Sequence, residues 1–190
     1  AIMKGDRDTL NHLKHPYSST NTLVFSDCLT EKEMNACLIP VRTERYINRY
    51  QYILRDRLGT TLVNSRGCPM RCAFCEHGLE TNGRWFSVDH FREEIESIRK
   101  LGFRAVMIFD DLFAISPKKV APYLDVIKTY GDMIFRCFGH ANVAAKHPEI
   151  LGMLAEAGCV EMGFGVESAS QKVLDAIEKR TKVADLHAFV

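Results

Sequence analysis

The sequence predicts an α/β protein with about four βα units on a parallel sheet, a partial (β/α) barrel of the TIM type. Three observations carry this. Helical stretches alternate with short apolar runs from residue 61 onward. Gly102, Gly131 and Gly158 each close a helical stretch just before the next run, as residues able to take a left-handed cap do. The runs are continuously apolar, the pattern of strands covered on both faces. Strands joined through helices at this spacing pair in parallel, with right-handed crossovers.

Thr61 to Asn64 is the first strand of the repeat and leads into a cysteine-rich loop. Ser87 caps a helix from Val88 to Leu101 whose Phe91, Ile95 and Ile98 share one face. Ala105 to Phe109 is the second strand. Ser116 caps the next helix, with Pro117 at the first helical position, where a missing N–H costs nothing. Met133 to Phe138 follows as the third strand. A helix from Pro148 to Gly158 then enters the fourth strand, Cys159 to Val166. A last helix starts near Ser168, sets Val173, Leu174 and Ile177 on one side, and runs into the C-terminus. Residues 1–58 fit the repeat poorly. There, Arg42, Arg45 and Arg49 with Tyr46, Tyr50 and Leu54 suggest one amphipathic helix.

Four units are too few to close a barrel, since eight need about 250 residues. The expected organisation is an N-terminal segment or domain tail over 1–58 and the first part of a larger barrel over 59–190. Active sites of such barrels lie at the C-terminal ends of the strands. That rule singles out the cysteine loop, Asp110-Asp111, Gly139 to Asn142 and Gly163 to Ser168.

Composition narrows the function. The 46% apolar and 26% charged fractions are those of an ordinary globular protein. With 25 Lys and Arg against 24 Asp and Glu, no single-sign field exists to hold nucleic acid through its phosphates, so such a partner is not expected. No membrane span or signal peptide is evident, and a cytoplasmic location is the expectation. Seven cysteines, an odd count, argue for metal binding or free thiols over a disulfide framework. Cys28, Cys37, Cys137 and Cys159 stand singly and read as small buried hydrophobes.

Cys68, Cys72 and Cys75 are different. Their C-x3-C-x2-C spacing lets three thiolates wrap one face of an iron–sulfur cluster. Only three local ligands leave one iron open to another molecule. The competing reading is zinc held by these cysteines and His77. Gly163 and Gly165 let a ligand lie against the fourth strand, and Glu167 beyond them can accept hydrogen bonds from ribose hydroxyls. The segment is no dinucleotide fingerprint, because Ser168 stands where the third glycine is needed.

The loop Arg66-Gly67-Cys68-Pro69-Met70-Arg71-Cys72-Ala73-Phe74-Cys75, with an aromatic residue before its last cysteine, resembles the signature of radical S-adenosylmethionine (radical SAM) enzymes. The resemblance spans roughly residues 60–182. It implies that Cys68, Cys72 and Cys75 hold three irons of a [4Fe-4S] cluster whose fourth iron is chelated by S-adenosylmethionine. Reductive cleavage would then give methionine and a 5′-deoxyadenosyl radical that acts on substrate. It also implies cofactor contacts from Phe74, from Asp110 or Asp111 to the methionine amino group, from Gly163 and Gly165, and from Glu167 to the ribose. The family often has Gly-Gly-Glu where Phe109-Asp110-Asp111 stands here, so a carboxylate is kept and the glycines are lost. His140 and Asn142 are candidates to reach the cofactor carboxylate or the substrate. Ser168 either touches the cofactor or caps the following helix.

Pro40-Val41-Arg42 through Tyr52, Glu167-Ser168-Ala169-Ser170 and Lys179-Arg180-Thr181-Lys182 most resemble the subgroup whose barrel follows a cobalamin-binding domain, many of them methyltransferases. No Asp-x-His-x-x-Gly cobalt-ligand motif occurs in the sequence, so any cobalamin is expected to come through another domain. The implied partners are a small-molecule substrate and an electron donor such as flavodoxin or ferredoxin. Two other readings compete: a methylthiotransferase acting on transfer RNA or protein, and a non-catalytic iron–sulfur or zinc module.

Overall fold

The computed structural model describes residues 29–43, 49, 52–75 and 83–187, and all that follows concerns the unit Glu31–Val190. Five strands form its main sheet: β1 (Ile53–Leu54), β2 (Arg57–Leu62), β5 (Ala105–Ile108), β6 (Ile134–Gly139) and β7 (Cys159–Phe164), in that spatial order. β1 runs antiparallel to β2, and the other pairs are parallel. The result is a curled half-barrel, as the βα repeat predicts. β3 (Ser65–Arg66) and β4 (Arg84–Trp85) make a separate antiparallel pair.

Helices α1 (Glu31–Asn35), α2 (Val88–Lys100), α3 (Pro117–Lys128), α4 (Ala141–Lys146), α5 (Glu149–Glu156), α6 (Gln171–Ala176) and α7 (Val183–His187) complete the described elements. Ser87 caps α2 by accepting from His90 N, and Phe91, Ile95 and Ile98 are buried as their spacing predicts. Ser116 caps α3 by accepting from Lys119 N at 3.3 Å. The core lies between the sheet and α2, α3 and α5, with Phe103, Val106, Ile108, Phe113, Phe135 and Ile150 at its centre. At Gly158 only glycine fits: φ is +94° and a Cβ would lie 2.6 Å from the Met133 carbonyl oxygen.

Several boundaries differ from expectation. The first parallel strand is Arg57–Leu62 rather than Thr61 to Asn64, because a hairpin turn with Arg55 left-handed (φ 55°) starts pairing earlier. Leu54 is therefore in a strand, not on an amphipathic helix. Arg42 is not helical either: its guanidinium crosses to Glu94 and to the Thr61 carbonyl. Residues 44–48, 50 and 51 of the expected helix lie outside the described residues. The helix expected near Ser168 is two short helices, and Val173, placed on its buried side, is 44% exposed while Leu174 is buried. Helix α4 was not anticipated. Its six residues are too few to show a periodic face. No described helix is long and apolar enough to cross a membrane.

Candidate functional site

The cysteine loop leaves the sheet through β3 and returns through β4, with Ser65 paired to Trp85 and Arg66 to Arg84, so both ends of the loop are fixed at one point. Gly67 takes φ +83° to turn the chain away. Cys75 N donates to the Cys72 carbonyl at 3.0 Å, and Ala73 N donates to the Ile177 carbonyl at 2.9 Å. His77 lies outside the described residues.

Cys68, Cys72 and Cys75 border one cavity of about 300 Å³ at the C-terminal ends of the strands. Phe74, Asp110, Asp111, His140, Gly163 and Gly165 line it too, as the strand-end rule predicts. Glu167 stands beside this wall through its partner Lys179. Among the described residues no three His, Cys, Asp or Glu side chains stand ready as a metal group. The donor set still fits a cluster: three soft thiols on one loop face one cavity. Burial pushes the Cys68 thiol up, and the negative charges of Asp111, Cys72 and Cys75 add to this. Burial likewise raises Cys72, while the Lys179 ammonium pulls it down. Thiolates gathered here are stabilised by a cation among them.

Two predicted residues are not among those lining the cavity. Asn142 donates through Nδ2 to the Arg180 carbonyl at 2.7 Å. Ser168 is neither the helix cap, which is Ser170, nor a cavity-lining group; its Oγ accepts from Ser170 N at 3.1 Å.

Lys179 belongs to the Lys179-Arg180-Thr181-Lys182 stretch that carries the subgroup resemblance, but the sequence assigns it no role in the site. Left-handed backbone at Glu178 (φ 54°) and Arg180 (φ 54°) folds the segment back over the site. Lys179 is thereby buried, its Nζ 3.0 Å from Glu167 Oε1 and 5.6 Å from the Phe74 ring centre. Glu167 is left-handed as well (φ 59°). Three such non-glycine residues around one cavity fit the tendency of backbone strain to gather at functional sites. A Cβ on Gly165 would collide with Glu167 Oε1 and lie 2.8 Å from Lys179 Nζ; one on Gly163 would lie 2.8 Å from the Phe138 ring. The missing Cβ atoms make room for Phe138, Glu167 and Lys179 to pack against the end of β7.

His140 caps α4 by accepting from Asn142 N at Nδ1, which leaves the proton on Nε2. Nε2 is buried without a well-formed hydrogen bond, although the Lys179 backbone is near enough to affect the ring. Burial, followed by the Lys179 charge, lowers the proton affinity of His140, which favours the neutral imidazole.

Asp110 is 2% exposed and accepts from Asn64 N at Oδ1 and from Ser65 Oγ at Oδ2, both at 2.7 Å. Burial pushes its carboxyl up to about 6 against the lowering effect of those bonds. The folded protein therefore binds a proton below that pH which the unfolded chain binds only near about 3.9. This group's contribution makes the fold more stable as pH falls from 7 to 5, by on the order of 1 kcal/mol, opposite to a salt-bridged carboxylate. Asp110→Asn is expected to flatten that part of the profile in urea denaturation at a series of pH values. An unchanged slope would mean that Asp110 does not titrate there.

A family model described as the radical SAM superfamily matches residues 62–187. An uncharacterized methyltransferase of Pyrococcus horikoshii is 30% identical over 122 residues, 62% of this chain and 26% of that protein. Hopanoid C-2 methylase of Rhodopseudomonas palustris is 27% identical over 160 residues, 79% of this chain and 29% of its own length. The chain thus spans between a quarter and a third of the curated relatives it matches. Among solved structures, the cobalamin-dependent S-adenosylmethionine radical enzyme OxsB superposes with a TM-score of 0.58 at 20% identity, over 66% of this chain and 20% of that one. The radical S-adenosylmethionine methyltransferase TsrM from Kitasatospora setae gives 0.59 at 16%, over 68% and 27%. At these identities the two structures establish the fold.

Proposed function

The chain belongs to the radical SAM superfamily, and from that premise we propose that it is part of the barrel of an enzyme that cleaves S-adenosylmethionine at a [4Fe-4S] cluster, and specifically of a cobalamin-dependent methyltransferase. One observation carries this: Cys68, Cys72 and Cys75 share a cavity with the glycine-lined end of β7 and with Lys179, the partner of Glu167. When bound, the cluster and S-adenosylmethionine supply a one-electron reductive cleavage that yields methionine and a 5′-deoxyadenosyl radical.

This chain's residues supply the rest. Cys68, Cys72 and Cys75 would hold three irons. Gly163 and Gly165 let the cofactor lie along β7, and Phe74 offers an aromatic wall. Glu167 accepts hydrogen bonds from ribose hydroxyls. Asp111, on the cavity wall and exposed, is the carboxylate proposed to meet the methionine ammonium. His140 lines the cavity without bringing a charge. Lys179, close enough to lower the Cys72 thiol, offsets the negative charge that thiolates and carboxylates bring together.

Methyl transfer is favoured by the relatives, whose names include bacteriochlorophyllide d C-8(2)-methyltransferase of Chlorobaculum tepidum and hopanoid C-2 methylase. Cobalamin enters this reading through a second domain, since the sequence holds no Asp-x-His-x-x-Gly motif. A small-molecule substrate, an electron donor of the flavodoxin or ferredoxin type and a cytoplasmic setting complete it.

Anaerobic reconstitution followed by electron paramagnetic resonance tests the proposal. A reduced [4Fe-4S] signal that shifts on adding S-adenosylmethionine supports it; a signal indifferent to the addition favours an electron carrier, and stoichiometric zinc without a cluster removes it. Glu167→Gln is expected to weaken S-adenosylmethionine binding about tenfold to a hundredfold, the range for a hydrogen bond to a charged group, while iron content stays at the wild-type level. Equal affinity in the two proteins would take Glu167 out of the site.

A further inference from the structure

We propose that Asp110 positions the cysteine loop, leaving contact with the cofactor to its neighbour Asp111. This rests on the reading above only in that the loop holds the cluster. Although adjacent, the two carboxylates have different surroundings: Asp110 is 2% exposed, whereas Asp111 is exposed and close enough to raise the Cys68 thiol. Both Asp110 oxygens are occupied at 2.7 Å, one by Asn64 N and the other by Ser65 Oγ. These donors lie three and four residues before Cys68, at the point where the chain leaves β2 for the loop.

The returning end of the loop is tied to the same place. Phe86 N donates to the Asn64 carbonyl at 2.9 Å, and Tyr123 OH donates to the Phe86 carbonyl at 2.6 Å. Ser65 pairs with Trp85 across β3 and β4. Asn64 and Ser65 are each 1% exposed, so removing Asp110 takes the partner from two buried donors. A buried donor left unmade costs more than an ordinary hydrogen bond gains. Asp110 thus fixes the end of β5 to the base of the loop, and Phe109 N, bonded to the Leu62 carbonyl at 2.8 Å, continues the parallel pairing up to that point.

Native-state cysteine labelling of the metal-free chain tests this without any cofactor. Under limiting iodoacetamide, read peptide by peptide by mass spectrometry, Asp110→Ala is expected to speed labelling of Cys68 and Cys72 by about tenfold or more, as the loss of two buried hydrogen bonds implies. Cys137, fully buried in the core, should stay protected. Asp110→Asn should restore rates to within about threefold of wild type, because its carbonyl accepts from Asn64 N and its amide donates to Ser65 Oγ. Unchanged loop labelling in Asp110→Ala overturns the proposal. So does equal acceleration at Cys137, which would make Asp110 a general stabiliser.

Should Asp110→Ala fail to fold, Ser65→Ala removes one of the two contacts and is expected to speed Cys68 labelling while sparing Cys137; no change there overturns the proposal too. After reconstitution, iron per chain should fall in Asp110→Ala and hold in Asp111→Asn, whose S-adenosylmethionine affinity should fall instead. The reverse pattern assigns the roles the other way. If labelling behaves as expected but no variant or wild-type chain binds iron, the cluster reading fails while the positioning role stands.

Discussion

Replacing Cys68, Cys72 or Cys75 with alanine is expected to abolish both the iron–sulfur cluster and S-adenosylmethionine cleavage, with the fold retained. The three thiols border one cavity, and the other described cysteines cannot substitute. Cys137 and Cys159 lie 4.0 Å apart on β6 and β7, with Cys137 packed in the core, and neither lines the cavity. Cys37 follows α1, also away from it. A cluster held by three protein thiolates has no spare ligand, so the effect is all or none. Cys75 is exposed, so its truncation should change stability by no more than about 0.5 kcal/mol, and loss of function there cannot be ascribed to unfolding. Iron and sulfide analysis, the reduced-state resonance spectrum and chromatographic detection of 5′-deoxyadenosine measure the outcome. An active cluster in any of the three variants would sink the assignment, and Cys137→Ser is the control that should keep it.

The half-barrel was legible because its signals are local. Ser87 and Ser116 mark helix starts through bonds made within three residues, and Phe91, Ile95 and Ile98 declare a buried face by spacing alone. The cysteine triplet is equally local, so its place in the cavity followed from the sequence. Features made by distant residues did not. Lys179 reaches the site only because left-handed Glu178 and Arg180 fold its segment back, and no composition rule marks non-glycine residues that will take positive φ. The β3–β4 pair joins segments 18 residues apart through two residues each, too short for an alternating pattern. Asp110 and Asp111 look alike in sequence, and only the fold buries one against Asn64 and Ser65 while leaving the other at the surface. The bonds of Asn142 and Ser168 are hidden for the same reason: short polar side chains near a strand end bond whatever backbone lies nearest, here that of Arg180 and Ser170.

Arg42→Ala is expected to be the most destabilising surface-segment change, at about 3–5 kcal/mol, because it strands a buried charge. The Arg42 guanidinium lies 2.6 Å from Glu94 Oε1, and the two side chains are only 8% and 4% exposed. The same group donates to the Thr61 carbonyl at 2.7 Å, so one residue ties the stretch before β1 to α2 and to β2. Glu94 has Phe91, Ile95 and Ile98 as buried neighbours on α2, so losing Arg42 would leave its carboxyl group without this partner in apolar surroundings. The cost belongs to the orphaned carboxylate more than to the bond itself, which makes a second prediction inside the first. Arg42→Met combined with Glu94→Leu removes both charges at similar volume and should recover most of the loss, or exceed wild type by about 1–4 kcal/mol. Urea denaturation of wild type, both single variants and the double variant measures the coupling. A loss below about 1 kcal/mol for Arg42→Ala would show that the pair behaves like an exposed salt bridge. In that case the segment carrying Arg42 would not be fastened to the half-barrel as its buried contacts indicate.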